Sequence, residues 1–188
     1  MADRLAVALI AGLAAAVSAV PDAVSQQPTY PDPGILYVES TPGHPVASYR
    51  REDLARAFPL HEIRTRTPWT DEKHVVRYRG PYLKDVLARS GFGDAPEVEV
   101  YAFDQFQTDI TKSEIDQYKP ILAIERECND QDRARKACAD GQEFKPLDLD
   151  DSGPFYIVWP YNSLPPSYTP QRNSIWVWFA VALRPVVR

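Results

Sequence analysis

Hydrophobic and polar positions alternate along this chain in short runs, which is typical of β-strands more than of long helices. Gly and Pro residues bracket most of the runs, as they do where strands end in turns. Eighteen prolines against eight glycines favour many loops and strand ends. The strands expected from this pattern are Ile35–Glu39, Leu60–Thr67, His74–Arg79, Glu97–Phe103, Pro120–Ile124, Phe155–Trp159 and Ser174–Val181.

Three short helices are expected between these strands. The clearest begins after Gly80-Pro81, carries the apolar stripe Leu83, Val86 and Leu87, and ends at Gly91. The other two cover residues 53–58, with Ser48 as a candidate cap, and residues 111–118, where Thr111 and Glu114 have capping-box spacing. Strands interleaved with short helices predict an α+β fold in which sheet predominates.

The first 25 residues differ in kind from the rest. Arg4 precedes the apolar run Leu5–Ala16, and small residues follow around Ala19, which is the pattern of a cleaved signal peptide. A membrane anchor is the competing interpretation, but a span needs about 20 apolar residues. Residues 26–34 then read as a disordered, Pro-rich linker, and 35–188 as one domain. We therefore expect an exported, periplasmic protein with no membrane insertion after cleavage.

Composition limits the partners. The chain has 188 residues, a formal net charge of −5 and 44% hydrophobic residues, which suits a single domain with its own core. No run of Lys or Arg forms a basic stripe, so the sequence gives no indication of nucleic-acid binding.

Cys128 and Cys138 stand ten positions apart in a polar segment. In an exported chain, such a pair most simply forms a disulfide. A two-cysteine metal site is the alternative, and it is weaker because no histidine lies nearby in sequence.

The segment between the last two predicted strands is the first candidate binding site. It concentrates Tyr161, Asn162, Tyr168 and Arg172 between two apolar runs, where polar and aromatic groups converge. Trp159, Trp176 and Trp178 in the flanking strands are more simply explained as packing residues.

Six motifs follow one another along residues 35–185. They are TPWTD at 67–71, RGPYLKDVL at 79–87, ILA at 121–123, DGQ at 140–142, GPFYIVWPYN at 153–162 and RNSIWVW at 172–178. In this order they resemble the sulfite-oxidase-type molybdopterin-binding domain. The resemblance implies a β-rich mixed sheet or barrel with a few short helices, and an Arg segment that contacts the cofactor.

The chain departs from that family at the metal. Family enzymes hold molybdenum through a cysteine in the loop that here reads Thr67–Asp71 and contains no sulfur. The lysine that often follows the Arg-Asn pair is replaced by Ser174-Ile175. A thiolate-held metal is therefore not expected.

The pterin half of the site is what the resemblance still implies. A pterin needs a stacking face and polar partners along its edge. Aromatic faces are offered by Trp69, Phe106 and Tyr161. Polar contacts are offered by Thr67, Asp104, Gln105, Asn162 and Arg172.

Three functions follow as hypotheses. The first is a non-catalytic periplasmic pterin-binding protein that acts on the periplasmic domain of a membrane-bound cyclic-di-GMP enzyme, as in small exported proteins that this chain resembles. The second is a molybdopterin-dependent oxidoreductase with a non-cysteine metal ligand. The third is a structural or interaction protein that has kept the fold and lost the pocket.

Overall fold

The structure is a computed structural model that describes residues 29–186. Its strands are β1 Leu36–Thr41, β2 His44–Tyr49, β3 His61–Thr65, β4 Val76–Gly80, β5 Glu97–Ala102, β6 Gln107–Thr111, β7 Ile121–Ala123, β8 Glu125–Glu127, β9 Phe144–Pro146, β10 Tyr156–Val158 and β11 Ala180–Pro185. Its α-helices are α1 Arg51–Ala57, α2 Leu83–Arg89, α3 Lys112–Tyr118, α4 Asp130–Ala134 and α5 Tyr168–Gln171. The predicted signal peptide lies outside the described residues.

The strands form three sheets. The largest has the order β2-β1-β11-β5-β6, the second β3-β4-β8-β9, and β10 pairs with β7 in a two-stranded ribbon. β1 and β11 are parallel, and the other pairs of neighbouring strands are antiparallel. The fold is therefore α+β and sheet-rich, as predicted. Across residues 29–186 each sheet is open, so the barrel in that prediction is not observed.

The ribbon of β7 and β10 lies in the core, since all six of its residues are buried. α2 supplies Leu83, Val86 and Leu87 to the same core, which confirms the predicted apolar stripe. At the end of β4, a Cβ on Gly80 would lie 2.0 Å from the carbonyl oxygen of Leu122. Only glycine allows this close approach between β4 and β7.

The capping box predicted for α3 is confirmed. The Thr111 side chain accepts a hydrogen bond from the Glu114 amide, and the Glu114 carboxylate accepts one from the Thr111 amide. The cap predicted for α1 was wrong. α1 begins after Arg50, whose amide donates to Asp53, because the hairpin strand β2 runs through Ser48 to Tyr49.

The last strand begins later than predicted. Residues 173–175 form a 3-10 turn, and β11 starts at Ala180. Phe179 has φ +54°, a left-handed conformation that interrupts the extended backbone. The predicted strand Ser174–Val181 is therefore divided between the 3-10 turn and β11, and Trp176 and Trp178 lie in the connection between them.

Part of the predicted linker is ordered. Tyr30 is buried against Tyr37, Tyr101 and the outer face of the largest sheet. Its hydroxyl donates to Glu39 at 2.8 Å, and Arg184 contacts the same carboxylate at 3.1 Å. The expectation of disorder is thus wrong for the residues from 29 to 34.

The predicted disulfide between Cys128 and Cys138 is present. It closes the segment that contains α4. Asp132 of α4 belongs to a group of charged side chains that form ion pairs with one another. We call this group the ion network: Arg126, Asp132, Lys145, Asp148 and Asp151. Among the residues from 29 to 186, no helix is long and apolar enough to cross a membrane.

Candidate functional site

An aromatic cleft of about 350 Å³ opens beside the turn between β5 and β6. Three segments form it: the loop after β3, the turn between β5 and β6, and the connection that leads into β11. Its lining residues are Trp69, Asp104, Phe106, Asn173, Ser174, Trp176 and Trp178. Three of the eight predicted ligand-binding residues, Trp69, Asp104 and Phe106, therefore meet at one place.

The cleft contains a stacked pair of tryptophans. The rings of Trp69 and Trp178 lie 4.9 Å apart with an interplanar angle of 22°. Behind them, Tyr156 is nearly parallel to Trp178 at 6.5 Å, in the core. Trp69 is 51% exposed, so one of its faces rests on the protein while much of its surface meets solvent. Such a ring offers a flat ligand a ready stacking surface.

One polar atom of the cleft has no partner. The side-chain oxygen Oδ1 of Asn173 is buried, and within residues 29–186 no donor reaches it. A buried acceptor without a hydrogen bond costs about 1–3 kcal/mol. Because Asn173 also lines the cleft, an N–H group of a ligand that reached this oxygen would remove that cost.

Asp104 adds a carboxylate at the mouth. Its Oδ1 accepts a hydrogen bond from the Phe106 amide at 3.1 Å, which orients the side chain in the turn. In the part of the chain that the structure describes, no Lys, Arg or His forms an ion pair with it. Its remaining acceptor sites are available to donors in the cleft.

The backbone around the cleft is strained at two places. Gln105 has φ +71° in the β5–β6 turn, and Phe179 has φ +54° just before β11. The two turns are tied together, since the Phe103 amide donates to the Phe179 carbonyl at 2.8 Å. A left-handed Phe is uncommon and costly, and such residues cluster at binding sites.

Arg172 lies next to the cleft in sequence but does not line it. Its Nε and Nη2 donate to the two oxygens of Glu114 at 2.7 Å each, and Nη2 also donates to the Asp109 carbonyl at 2.8 Å. Burial opposes ionisation of Glu114, but hydrogen bonds from Arg172 and Thr111 outweigh it and lower the pKa from 4.5 to about 2. Arg172 therefore joins α3 and β6 to the segment that carries Asn173.

The other predicted residues lie around the cleft. Tyr161 is half-buried, with its ring 6.4 Å from Trp176 and the Arg66 guanidinium 4.0 Å above it. Asn162 lines a separate pocket. Thr67 accepts from and donates to Thr70 in its own turn, and Gln105 is exposed in the β5–β6 turn. Their contact with a ligand remains a prediction.

Four residues of the cleft were not predicted as ligand contacts: Asn173, Ser174, Trp176 and Trp178. The sequence assigned both tryptophans to packing, because they stand two positions apart in an apolar run. Trp176 is buried, while Trp178 is half-buried and forms the inner face of the stack. The adjacent Arg-Asn pair was the available signal, since it placed Asn173 beside the predicted Arg172.

A larger and more polar cavity, about 430 Å³, lies beside the ion network. Tyr78 lines it, and burial raises the pKa of this tyrosine to about 12. Arg126 and Asp151 also line it, but they are engaged with each other. Because these two charged residues are already paired, this cavity offers a ligand fewer free polar groups than the aromatic cleft does.

The described residues contain no group of three or more His, Cys, Asp or Glu side chains placed to hold a metal ion. His61 stacks on Tyr82 at 3.8 Å, and His74 lies 2.6 Å from Asp71.

No family model matches this chain, and no curated protein matches it. The family resemblance therefore rests on the six motifs, and the functional argument rests on the cleft.

Proposed function

We propose that this protein binds a pterin in the aromatic cleft and acts as a non-catalytic, exported ligand sensor. The observation that carries the proposal is the stacked Trp69–Trp178 pair beside the unpartnered Oδ1 of Asn173. A flat ring that donates hydrogen bonds from its edge meets both requirements together.

The polar groups agree with the edge of a pterin. Its 2-amino group and N3–H are neighbouring donors, and the Asp104 carboxylate accepts two hydrogen bonds from such a pair. Asn173 Oδ1 then accepts a further donor of the ring, and Trp69 covers its face. A purely apolar ligand would leave both acceptors unsatisfied, at a cost of about 1–3 kcal/mol for a buried one.

The cysteines support a non-catalytic role. Both cysteine sulfur atoms of the chain are joined in the Cys128–Cys138 disulfide. A thiolate ligand for molybdenum is therefore not available in this oxidation state, and the residues present do not fit a cysteine-held metal. Within the proposal, the chain has the sulfite-oxidase-type fold but uses it for the organic ligand alone.

The proposed partner is the periplasmic domain of a membrane-bound cyclic-di-GMP enzyme. This part of the proposal rests on the resemblance to small exported proteins of the fold. The disulfide supports an oxidising compartment, where such pairs persist. A ligand sensor of this kind would report the occupancy of the cleft to its partner.

The test is calorimetric titration with oxidised and tetrahydro pterins, together with metal analysis of natively expressed protein. We expect saturable binding, and Trp69→Ala should weaken it about tenfold or more, because it removes a stacking face worth about 0.5–1.5 kcal/mol besides the buried area. Asn173→Leu should weaken binding similarly, because leucine is about the same size as asparagine but has no hydrogen-bond acceptor.

Val46→Ala is the matched control, since Val46 is as exposed as Trp69 but lies on β2. This variant should bind like the unchanged protein. Absence of pterin binding, or an affinity in both Trp69→Ala and Asn173→Leu that equals that of the unchanged protein, would remove the cleft assignment. Stoichiometric molybdenum would favour the oxidoreductase hypothesis in its place.

A further inference from the structure

A second pocket of about 290 Å³ is separate from the aromatic cleft. It forms between the end of β3, the loop that follows it, and the turn after β10. We call it the arginine pocket, and its lining residues are Arg64, Thr65, Arg66, Glu72, Val75 and Asn162. None of these residues lines the aromatic cleft.

Both arginines of this pocket lack a carboxylate partner among residues 29–186. Arg77 on the neighbouring strand lies opposite Arg64 in the β3–β4 register, and its ion pairing is different. Arg77 lies within 3.4 Å of three carboxylates, those of Glu62, Glu127 and Glu143. In a chain with net charge −5, acidic groups are plentiful, yet two neighbouring guanidinium groups remain uncompensated.

Arg66 is held in place without an ion pair. Its guanidinium lies 4.0 Å above the Tyr161 ring. Thr65 ties the two residues together, because its Oγ1 accepts from the Tyr161 amide and donates to the Arg66 carbonyl, both at 3.0 Å. A guanidinium stacked on a ring keeps its in-plane N–H donors free, and that edge matches the two oxygens of a carboxylate or phosphate.

We infer that the arginine pocket binds an oxyanion, either a phosphate or a carboxylate group. Arg66 supplies the oriented donors, Arg64 adds positive charge, and the Asn162 amide is a further donor at the rim. The negative charge of Glu72 repels a bound anion, so it lowers the affinity of the pocket for that anion. The inference does not depend on pterin binding, since the two sites share no lining residue.

The test is titration with inorganic phosphate and, separately, with acetate, followed by the NMR signals of the arginine Nε–H groups. We expect the Arg64 and Arg66 signals to shift and saturate in the millimolar range. Arg66→Gln should weaken binding about tenfold, because it removes a charge-assisted, bidentate donor. Glu72→Gln should strengthen binding, which is the opposite direction and cannot come from unfolding.

Arg89→Gln is the matched control, because Arg89 also lies over a ring, that of Phe58, and forms no ion pair with the residues from 29 to 186. It should leave the affinity unchanged. Saturation by phosphate alone identifies a phosphate ligand, and saturation by acetate alone a carboxylate. Shifts that do not saturate with either anion, or that persist in Arg66→Gln at the same affinity, would overturn the inference. Pterin affinity measured on the same variants reports on the aromatic cleft separately.

Discussion

The aromatic cleft and the ion network differ in whether their polar groups already have partners within the protein. In the network, Arg126 donates to Asp132 and Asp151, and Lys145 lies 2.6 Å from Asp151. In the cleft, Asn173 Oδ1 has no partner and Trp69 is half exposed. The polar groups of the network bond to one another, whereas those of the cleft can still bond to a ligand. This difference separates a region that stabilises the fold from a region suited to bind a ligand.

Burial explains why the network must be complete. The side chains of Arg126, Asp132 and Asp151 are at most 12% exposed, so each charge depends on its partners. Hydrogen bonds from Arg126 lower the pKa of Asp132 to about 2, against the effect of burial. The disulfide and the capping box of α4 hold Asp132 at this position. The disulfide loop is therefore part of what stabilises the fold.

The largest expected effect is on the network. Arg126→Met should lower the free energy of unfolding by about 3–5 kcal/mol, because the buried carboxylates of Asp132 and Asp151 lose their hydrogen-bonded guanidinium and keep only Lys145 as a cation. Denaturant titration measures the change. Arg133→Met is the control, since Arg133 lies on α4 and, within residues 29–186, its guanidinium hydrogen-bonds to backbone carbonyls and to no carboxylate. A loss below about 1 kcal/mol in Arg126→Met would show that the network is not a stabilising unit.

A smaller effect is expected at Arg172, which borders the cleft but is paired like the network. Arg172→Gln should cost about 1–3 kcal/mol at neutral pH, because Glu114 is buried and loses its charged partner. Pterin affinity should change little, since Arg172 does not line the cleft. A large loss of affinity with unchanged stability would return Arg172 to the ligand site.

The same pair has a defined pH dependence. The Glu114 carboxyl has a pKa of about 2 in the folded protein against 4.5 ordinarily, so its contribution is complete above 4.5 and is lost as the pH falls towards 2. The stability difference between the unchanged protein and Arg172→Gln should therefore shrink across that range. Unfolding curves at several pH values measure it, and a constant difference would contradict the assignment.

The smallest effect on stability is expected in the cleft. Trp69→Ala should cost about 1 kcal/mol or less, because it removes one stacked contact of a half-exposed ring. Trp159→Ala is the contrasting variant, with an expected loss of about 3–5 kcal/mol. Trp159 is fully buried and donates to the Ile175 carbonyl at 2.9 Å. Comparable melting temperatures for the two variants would place Trp69 in the core.

The sequence by itself determined the features that depend on neighbours along the chain. The capping box of Thr111 and Glu114, the apolar stripe of α2 and the pairing of Cys128 with Cys138 all follow from local spacing. Period and capping act over a few residues, so they are visible without the fold. The sheet-rich α+β class follows for the same reason.

Only the tertiary structure decided which polar groups are engaged. Arg172 and Asp104 are equally polar in the sequence, yet Arg172 is bound to Glu114, which lies 58 positions away. Trp178 looks like a packing residue in the sequence, but it lies in the connection before β11, where its ring stacks on Trp69. Such pairings are set by contacts between distant segments, because a buried charge or ring takes whatever partner the packed fold brings to it.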